Sequence, residues 1–252
     1  MFENPYIFGA MIILSMMTIV YIISLLKNDY SVIDIFWPVG FGLLAYFLLE
    51  FGWSTNHDMV KIFVTVWSIR LSSYLLFRNI KYGPDARYKE LQHEWGATHR
   101  IHAFFKVFML QGCFMFVIAM PIITGATITN GHLVSLWLGC AITIVGFLLE
   151  LVADLQLYSF KRKPENKGKY LMRGLFSISR HPNYLGEILF WVGIAVLVLP
   201  NSVFYLTLIG PSVLIFALYK FSGVPYAERN HKKTETYQLY ASKTGAIFPK
   251  LW

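Results

Sequence analysis

Runs of roughly 20 predominantly apolar residues, the length of helix needed to cross a ~30 Å hydrocarbon core, follow one another along this chain. Bounded by Pro, Gly and charged residues, seven such runs fall at 6–26, 31–51, 60–78, 104–124, 133–154, 183–199 and 203–220. Charged residues make up only 14% of the chain and hydrophobic ones 56%, whereas soluble domains carry about 25% charge. The pattern predicts an all-α integral membrane protein, a seven-transmembrane helix bundle forming one domain over 1–252. "LPNSVF" joins the last two spans as a tight hairpin.

Lys and Arg orient the bundle, because cytoplasmic connections keep most of them. Arg78, Lys81, Arg87, Lys89, Arg100 and Lys106 separate spans three and four, and seven more lie between spans five and six. Arg229, Lys232, Lys233, Lys243 and Lys250 follow the last span. The connections around 52–60, 125–132 and 200–202 contain no Lys or Arg, with Lys61 the nearest. This asymmetry predicts an N-terminus outside and a cytoplasmic C-terminus. It also accounts for a net charge of +8 as positive loops beside anionic lipid.

Several classes lose support. The basic residues form no nucleic-acid recognition motif, so membrane lipids rather than nucleic acid are the expected partners. Cys113 and Cys140 both sit in apolar runs and offer no CxxC pair. Met1 to Tyr6 has no basic residue, so a cleaved signal is not expected. HExxH, a nucleophile elbow, a P-loop and GxGxxG are absent, and the scattered histidines make no metal set.

Ionisable groups inside spans are costly and by default mark a site. Asp34, Arg70, Glu150, Asp154 and Glu187 qualify, with Glu50 at an outer boundary. Glu150, Asp154 and Tyr158 follow at i, i+4, i+8 and share one face of the fifth span. The segment "KRKPENKGKYLMRGLFSISRHPNYLGE" is the densest candidate. Pro182 suits a first helical position, so the free N–H groups there, beside Arg180, His181, Lys161, Lys167 and Lys169, form an anion site suited to phosphate. A basic loop explains those cations but not Asn183 and Glu187, one turn apart in the following apolar run. Downstream, the amphipathic tail 221–252 is expected to cap the cytoplasmic mouth, with Tyr237 among aromatics that flank a nucleotide or lie at the interface.

From about Ser31 onward, and most specifically over "ADLQLYSFKRKPENKGKYLMRGLFSISRHPNYLGEILFWVG" with the ending "IFPKLW", the chain resembles the steroid 5-alpha-reductase-like membrane family, particularly its bacterial branch. That resemblance implies a seven-span enzyme that uses NADPH to reduce a carbon–carbon double bond conjugated to a ketone. It places Asp154, Tyr170, Asn183, Tyr184 and Glu187 at the cofactor. The Gln-Glu pair and catalytic tyrosine that steroid reductases carry in spans two and three are replaced here by "DIFWPVG", Arg70 and Tyr74. The core "RHPNY-x-G" is shared with isoprenylcysteine and phospholipid methyltransferases, which bind S-adenosylmethionine. Their tails carry a Glu-Glu pair before "Y-x-x-Y", where this tail has "YQLY" with the scattered Glu228 and Glu235.

Two enzyme readings therefore stand. In the first, NADPH lies between spans five, six and seven, a lipophilic enone enters from the bilayer, and Asp34, Tyr74 or Arg70 polarises its carbonyl. In the second, the same loop serves S-adenosylmethionine and a lipid or prenyl thiol is methylated. The expected location is the cytoplasmic membrane of a bacterium or, in a eukaryote, the endoplasmic reticulum.

Overall fold

The computed structural model describes residues 4–49, 54–126, 131–199, 204–229 and 234–250. It is helical throughout, and the only sheet-like pairing among the described residues is an isolated bridge between Ser179 and Gly245. Five helical runs are long and apolar enough to cross a membrane, while Val32–Leu48 and Pro182–Leu197 are apolar but shorter. Glu50, read above as a boundary residue, lies outside the described residues, as do Lys232 and Lys233. The chain divides into two compact units, Met1–Leu136 with Leu197–Gly210 and Trp137–Val196 with Pro211–Trp252.

In the first unit, Asn4 starts α1 (Pro5–Lys27) by accepting from the N–H groups of Tyr6 and Ile7 at 2.9 and 3.3 Å. Pro5 takes a position whose N–H would go unused. Asn28, in the left-handed region at φ 49°, ends it, and Asp29 accepts from both the N–H and the hydroxyl of Ser31 to turn the chain into α2 (Val32–Leu48). Pro38 interrupts the α2 hydrogen-bond ladder. Ser68 and Ser72 of α3 (Thr55–Tyr82) donate to the carbonyls of Pro38 and Ile35, so the interrupted stretch is docked by side-chain hydrogen bonds where water is scarce.

The fourth apolar run departs from the single helix expected over 104–124. An amphipathic helix, α4 (Ala86–Trp95), begins at the Asp85 cap, and α5 (His99–Ala103) leads through a π-helical turn at Phe104–Met109 into α6 (Leu110–Ile118). The helix breaks at Ala119, and α7 (Met120–Gly125) restarts with Pro121, which lacks the N–H to carry the ladder through. Sequence hydropathy misses α4 because only one side of it is apolar, with Tyr88 as its buried residue.

The second unit takes α8 (Leu133–Lys161) from Trp137 on and α9 (Pro182–Leu197) as far as Val196; α8 extends seven residues past the predicted end at 154, and α9 starts at the proline as the motif implies. The two helices meet backbone to backbone. A Cβ on Gly186 would lie 2.4 Å from the Glu150 nitrogen, and one on Gly146 would lie 2.3 Å from the Phe190 nitrogen. Glycine at both crossings lets the helices approach, the small-residue packing that replaces hydrophobic association inside a bilayer. After α10 (Phe204–Phe216) and a π-helical turn at Ala217–Phe221, the helix stops at Ser222 and Gly223. Two short helices follow, α11 (Val224–Glu228) and α12 (Glu235–Lys243).

Candidate functional site

The loop before α9 and the tail after α10 fold onto each other. Backbone N–H groups of Arg180 and His181 donate to the carbonyls of Gly245 and Ala246 at 2.9 and 3.0 Å, so the tail is pinned at the isolated Ser179–Gly245 bridge to the segment that enters α9. Arg180 turns inward. Its Nε donates to Glu228 Oε1 at 2.9 Å, and its Nη1 reaches the carbonyls of Ala241 and Thr244. His181 Nε2 donates to the same Glu228 oxygen at 3.0 Å. The side chains of Arg180 and Glu228 are only 11% and 4% exposed, so this is an enclosed ion pair with its hydrogen bonds supplied. Burial opposes the Arg180 charge, but the hydrogen bond and charge of Glu228 outweigh it and hold the guanidinium pKa above its ordinary value.

Three tyrosines continue the site. Tyr170 and Tyr237 bring their rings within 4.9 Å at 59°, and Tyr237 meets Tyr240 edge-on at 5.9 Å. The Tyr170 hydroxyl shares a 3.1 Å hydrogen bond with Thr234, and the Tyr240 hydroxyl donates to the Phe176 carbonyl. Burial raises the pKa of Tyr237, helped by the Glu228 charge, and pushes that of Tyr240 up to about 12, so both remain neutral donors at physiological pH. Beneath the loop, Leu171 and Phe176 pack with Ala153 of α8 as the apolar floor.

On α8, Glu150 and Asp154 are buried at 3% and 7% exposure, and Tyr158 is half-buried. Asn183 Nδ2 donates to Asp154 Oδ1 at 3.5 Å, and Glu187 lies half-buried one turn further along α9. The His181 and Tyr184 rings stack at 5.1 Å and 17°. The structure thus joins Asp154 with Asn183, Tyr170 with Tyr237, and His181 with Tyr184. Lys161, Lys167 and Lys169 instead remain exposed along the 161–169 segment. Sequence reading missed Glu228 as the counter-charge. The one usable signal was an isolated acid in a basic tail.

Asp34, Arg70 and Tyr74 belong to the first unit. Asp34 Oδ2 accepts from Arg87 Nη2 at 2.9 Å and its Oδ1 from the Tyr88 hydroxyl at 2.6 Å. Both carboxylate oxygens are accordingly engaged by α4. Arg87 also bonds Asp85 at 2.9 Å, and Gln111 donates to the Tyr88 oxygen at 3.3 Å. Arg70 and Tyr74 lie half-buried one turn apart on α3. Burial pulls the Asp85 carboxyl up, but its hydrogen bonds to Arg87 and the nearby positive charges prevail and leave it below the usual carboxylate range. Among the described residues no group of three or more His, Cys, Asp or Glu is placed to hold a metal ion.

These features define a helical chain with membrane-length apolar runs and a polar site closed by its own tail. The chain belongs to the family described as "Protein of unknown function (DUF1295)", whose model matches residues 20–244. It is 23% identical to an uncharacterized protein of Schizosaccharomyces pombe over 98% of this chain and 80% of the relative. It is 33% identical to a probable O-methyltransferase of Ustilaginoidea virens, over 51% of this chain and 42% of that one. No solved structure matches it.

Proposed function

We propose that this chain is a seven-span membrane enzyme, N-terminus outside and C-terminus cytoplasmic, that uses S-adenosylmethionine to methylate an oxygen or thiol of a lipophilic acceptor drawn from the bilayer. The observation carrying this reading is Glu228, which occupies both Arg180 and His181. A polyanionic dinucleotide would seek those two cations for its phosphates. S-adenosylmethionine has no phosphate, and its sulfonium and ammonium groups are suited to a site with buried acids. Glu150 and Asp154 supply these on α8, and Glu187 on α9 is a half-buried acid. The similarity to a probable O-methyltransferase over half the chain supports the same chemistry.

When bound, the cofactor supplies an electrophilic methyl carbon. The chain's share is to bind and orient. Asp154 and Glu150 would balance the positive groups, Asn183 would offer hydrogen bonds, and the Tyr170–Tyr237 pair would cover the adenine. The closed tail would exclude water as a competing nucleophile, leaving an acceptor oxygen or thiol held in line as the group placed to take the methyl carbon.

A second reading, NADPH-dependent reduction of a lipophilic enone, is favoured by the 161–169 segment, where exposed Lys161, Lys167 and Lys169 form a surface fit for phosphates. Thermal unfolding of the detergent-purified protein separates the two. At ~100 times its dissociation constant a ligand adds about 2.7 kcal/mol of stability. S-adenosylmethionine and S-adenosylhomocysteine are expected to stabilise the wild type, Asp154→Asn to abolish the effect, and NADPH to leave the transition unmoved. Stabilisation by NADPH alone transfers the site to the reductase reading.

A further inference from the structure

A groove of about 560 Å³ runs between the end of α10 and the C-terminal segment, and none of the side chains of the site above lines it. One wall is Ile215, Phe216 and Tyr219, and the other includes Phe248. Phe216 and Phe248 are both exposed although they are large and apolar. Two cations, Lys220 and Lys250, line the groove as well, and none of its described lining residues is acidic. The π-helical turn at Ala217–Phe221 is local to this wall. Such a turn inserts an extra residue and redirects the side chains that follow, a distortion often kept for binding. Lys250 is steadied by donating to the Ser242 carbonyl, leaving further protons for an anion.

We infer that this groove seats an anionic membrane phospholipid, one acyl chain lying along Ile215, Phe216 and Phe248 and the headgroup phosphate between Lys220 and Lys250. The charge pattern selects the occupant. A zwitterionic lipid would bring its own cation to a rim that already holds two, whereas an anionic headgroup leaves net attraction. The position fits as well, because the groove opens where the last apolar helix gives way to a polar tail, the level at which headgroups sit. Its far wall includes Gly245 and Ala246, the segment hydrogen-bonded to Arg180 and His181. Occupancy would therefore brace the segment that closes the site, whichever cofactor the site takes.

The test is native mass spectrometry of delipidated protein titrated with phosphatidylglycerol, phosphatidylcholine or inorganic phosphate, with thermal unfolding in parallel. Phosphatidylglycerol is expected to be retained at least tenfold better than phosphatidylcholine and to raise the unfolding temperature. Lys220→Gln with Lys250→Gln should remove that preference, and Lys220→Arg with Lys250→Arg should keep it. Phe216→Ala with Phe248→Ala should weaken retention of both lipids. Equal retention of the two lipids by the wild type, or unchanged selectivity in the double Gln variant, overturns the inference. So does full displacement of the lipid by inorganic phosphate, which would make this a free-anion site.

Discussion

Arg180 and Glu228, 48 positions apart in sequence, meet at 2.9 Å with almost no access to solvent. The pair converts what reads as a loose basic loop into a cross-brace between the start of α9 and the tail. His181 shares the same carboxylate, so Glu228 neutralises the two residues best placed to take a phosphate.

Removing one partner of an enclosed ion pair leaves the other charged and unpaired, at a cost of about 3 kcal/mol. Arg180→Met and Glu228→Leu are each expected to lower the unfolding temperature sharply. Arg180→Met combined with Glu228→Leu should recover much of the loss, since a well-packed apolar pair is a fair substitute. Thermal unfolding of the two singles and the double measures the coupling.

Gly186→Ala places a methyl group 2.4 Å from a backbone nitrogen of α8 that has nowhere to go. The helices must separate, at a cost of roughly 1–3 kcal/mol. Gly168, at φ +78° with open space around it, meets no neighbour, so Gly168→Ala should cost about 1 kcal/mol through backbone conformation alone. Because Gly186 sits opposite Glu150, only its replacement should also weaken cofactor-induced stabilisation.

Asp34→Asn removes one of the two carboxylates that hold Arg87, leaving Asp85, and should destabilise the first unit by about 2 kcal/mol. Tyr88→Phe, which removes only a hydroxyl donor, should cost about 1 kcal/mol. Neither is expected to change the affinity for S-adenosylmethionine, which equilibrium binding to the purified variants would read.

Acid should act on the Asp85 cap. Its folded pKa is depressed below the ordinary 3.8, so its contribution is complete above that value and is lost as pH falls through the lower, folded one. The stability advantage of the wild type over Asp85→Asn should hold from neutral pH down to about 4 and vanish in stronger acid. The side chain is 27% exposed, so the effect should be small and should shrink in salt. Parallel melts of the two proteins across that range measure it.

Local signals carried most of what could be read in advance. Pro182 marked the start of α9, and the one-turn spacings placed Glu150 with Asp154 and Asn183 with Glu187 because a helix repeats at short range. Asp154 and Asn183 do meet. What the sequence hid was which distant charges answer each other. Arg180 could be counted as one more cytoplasmic cation, and Arg87 likewise, because positive charge alone does not reveal a carboxylate 48 or 53 positions away. The helix α4 was overlooked for another reason. Hydropathy detects elements that bury every side, and α4 buries one.

The pairing of Gly245 and Ala246 with the start of α9 has a bearing on how the molecule comes into being. The Arg180 side chain finds its last acceptor at Thr244, 64 residues downstream, and its backbone N–H pairs with the Gly245 carbonyl one residue further. The α9 segment leaves the ribosome well before that acceptor exists, so the contacts that close over Arg180 form only once the tail as far as Ala246 has emerged. Closure of the candidate site is thereby tied to synthesis of the tail through Ala246, and a chain cut short before Thr244 would hold α8 and α9 yet lack the carbonyls that close over Arg180.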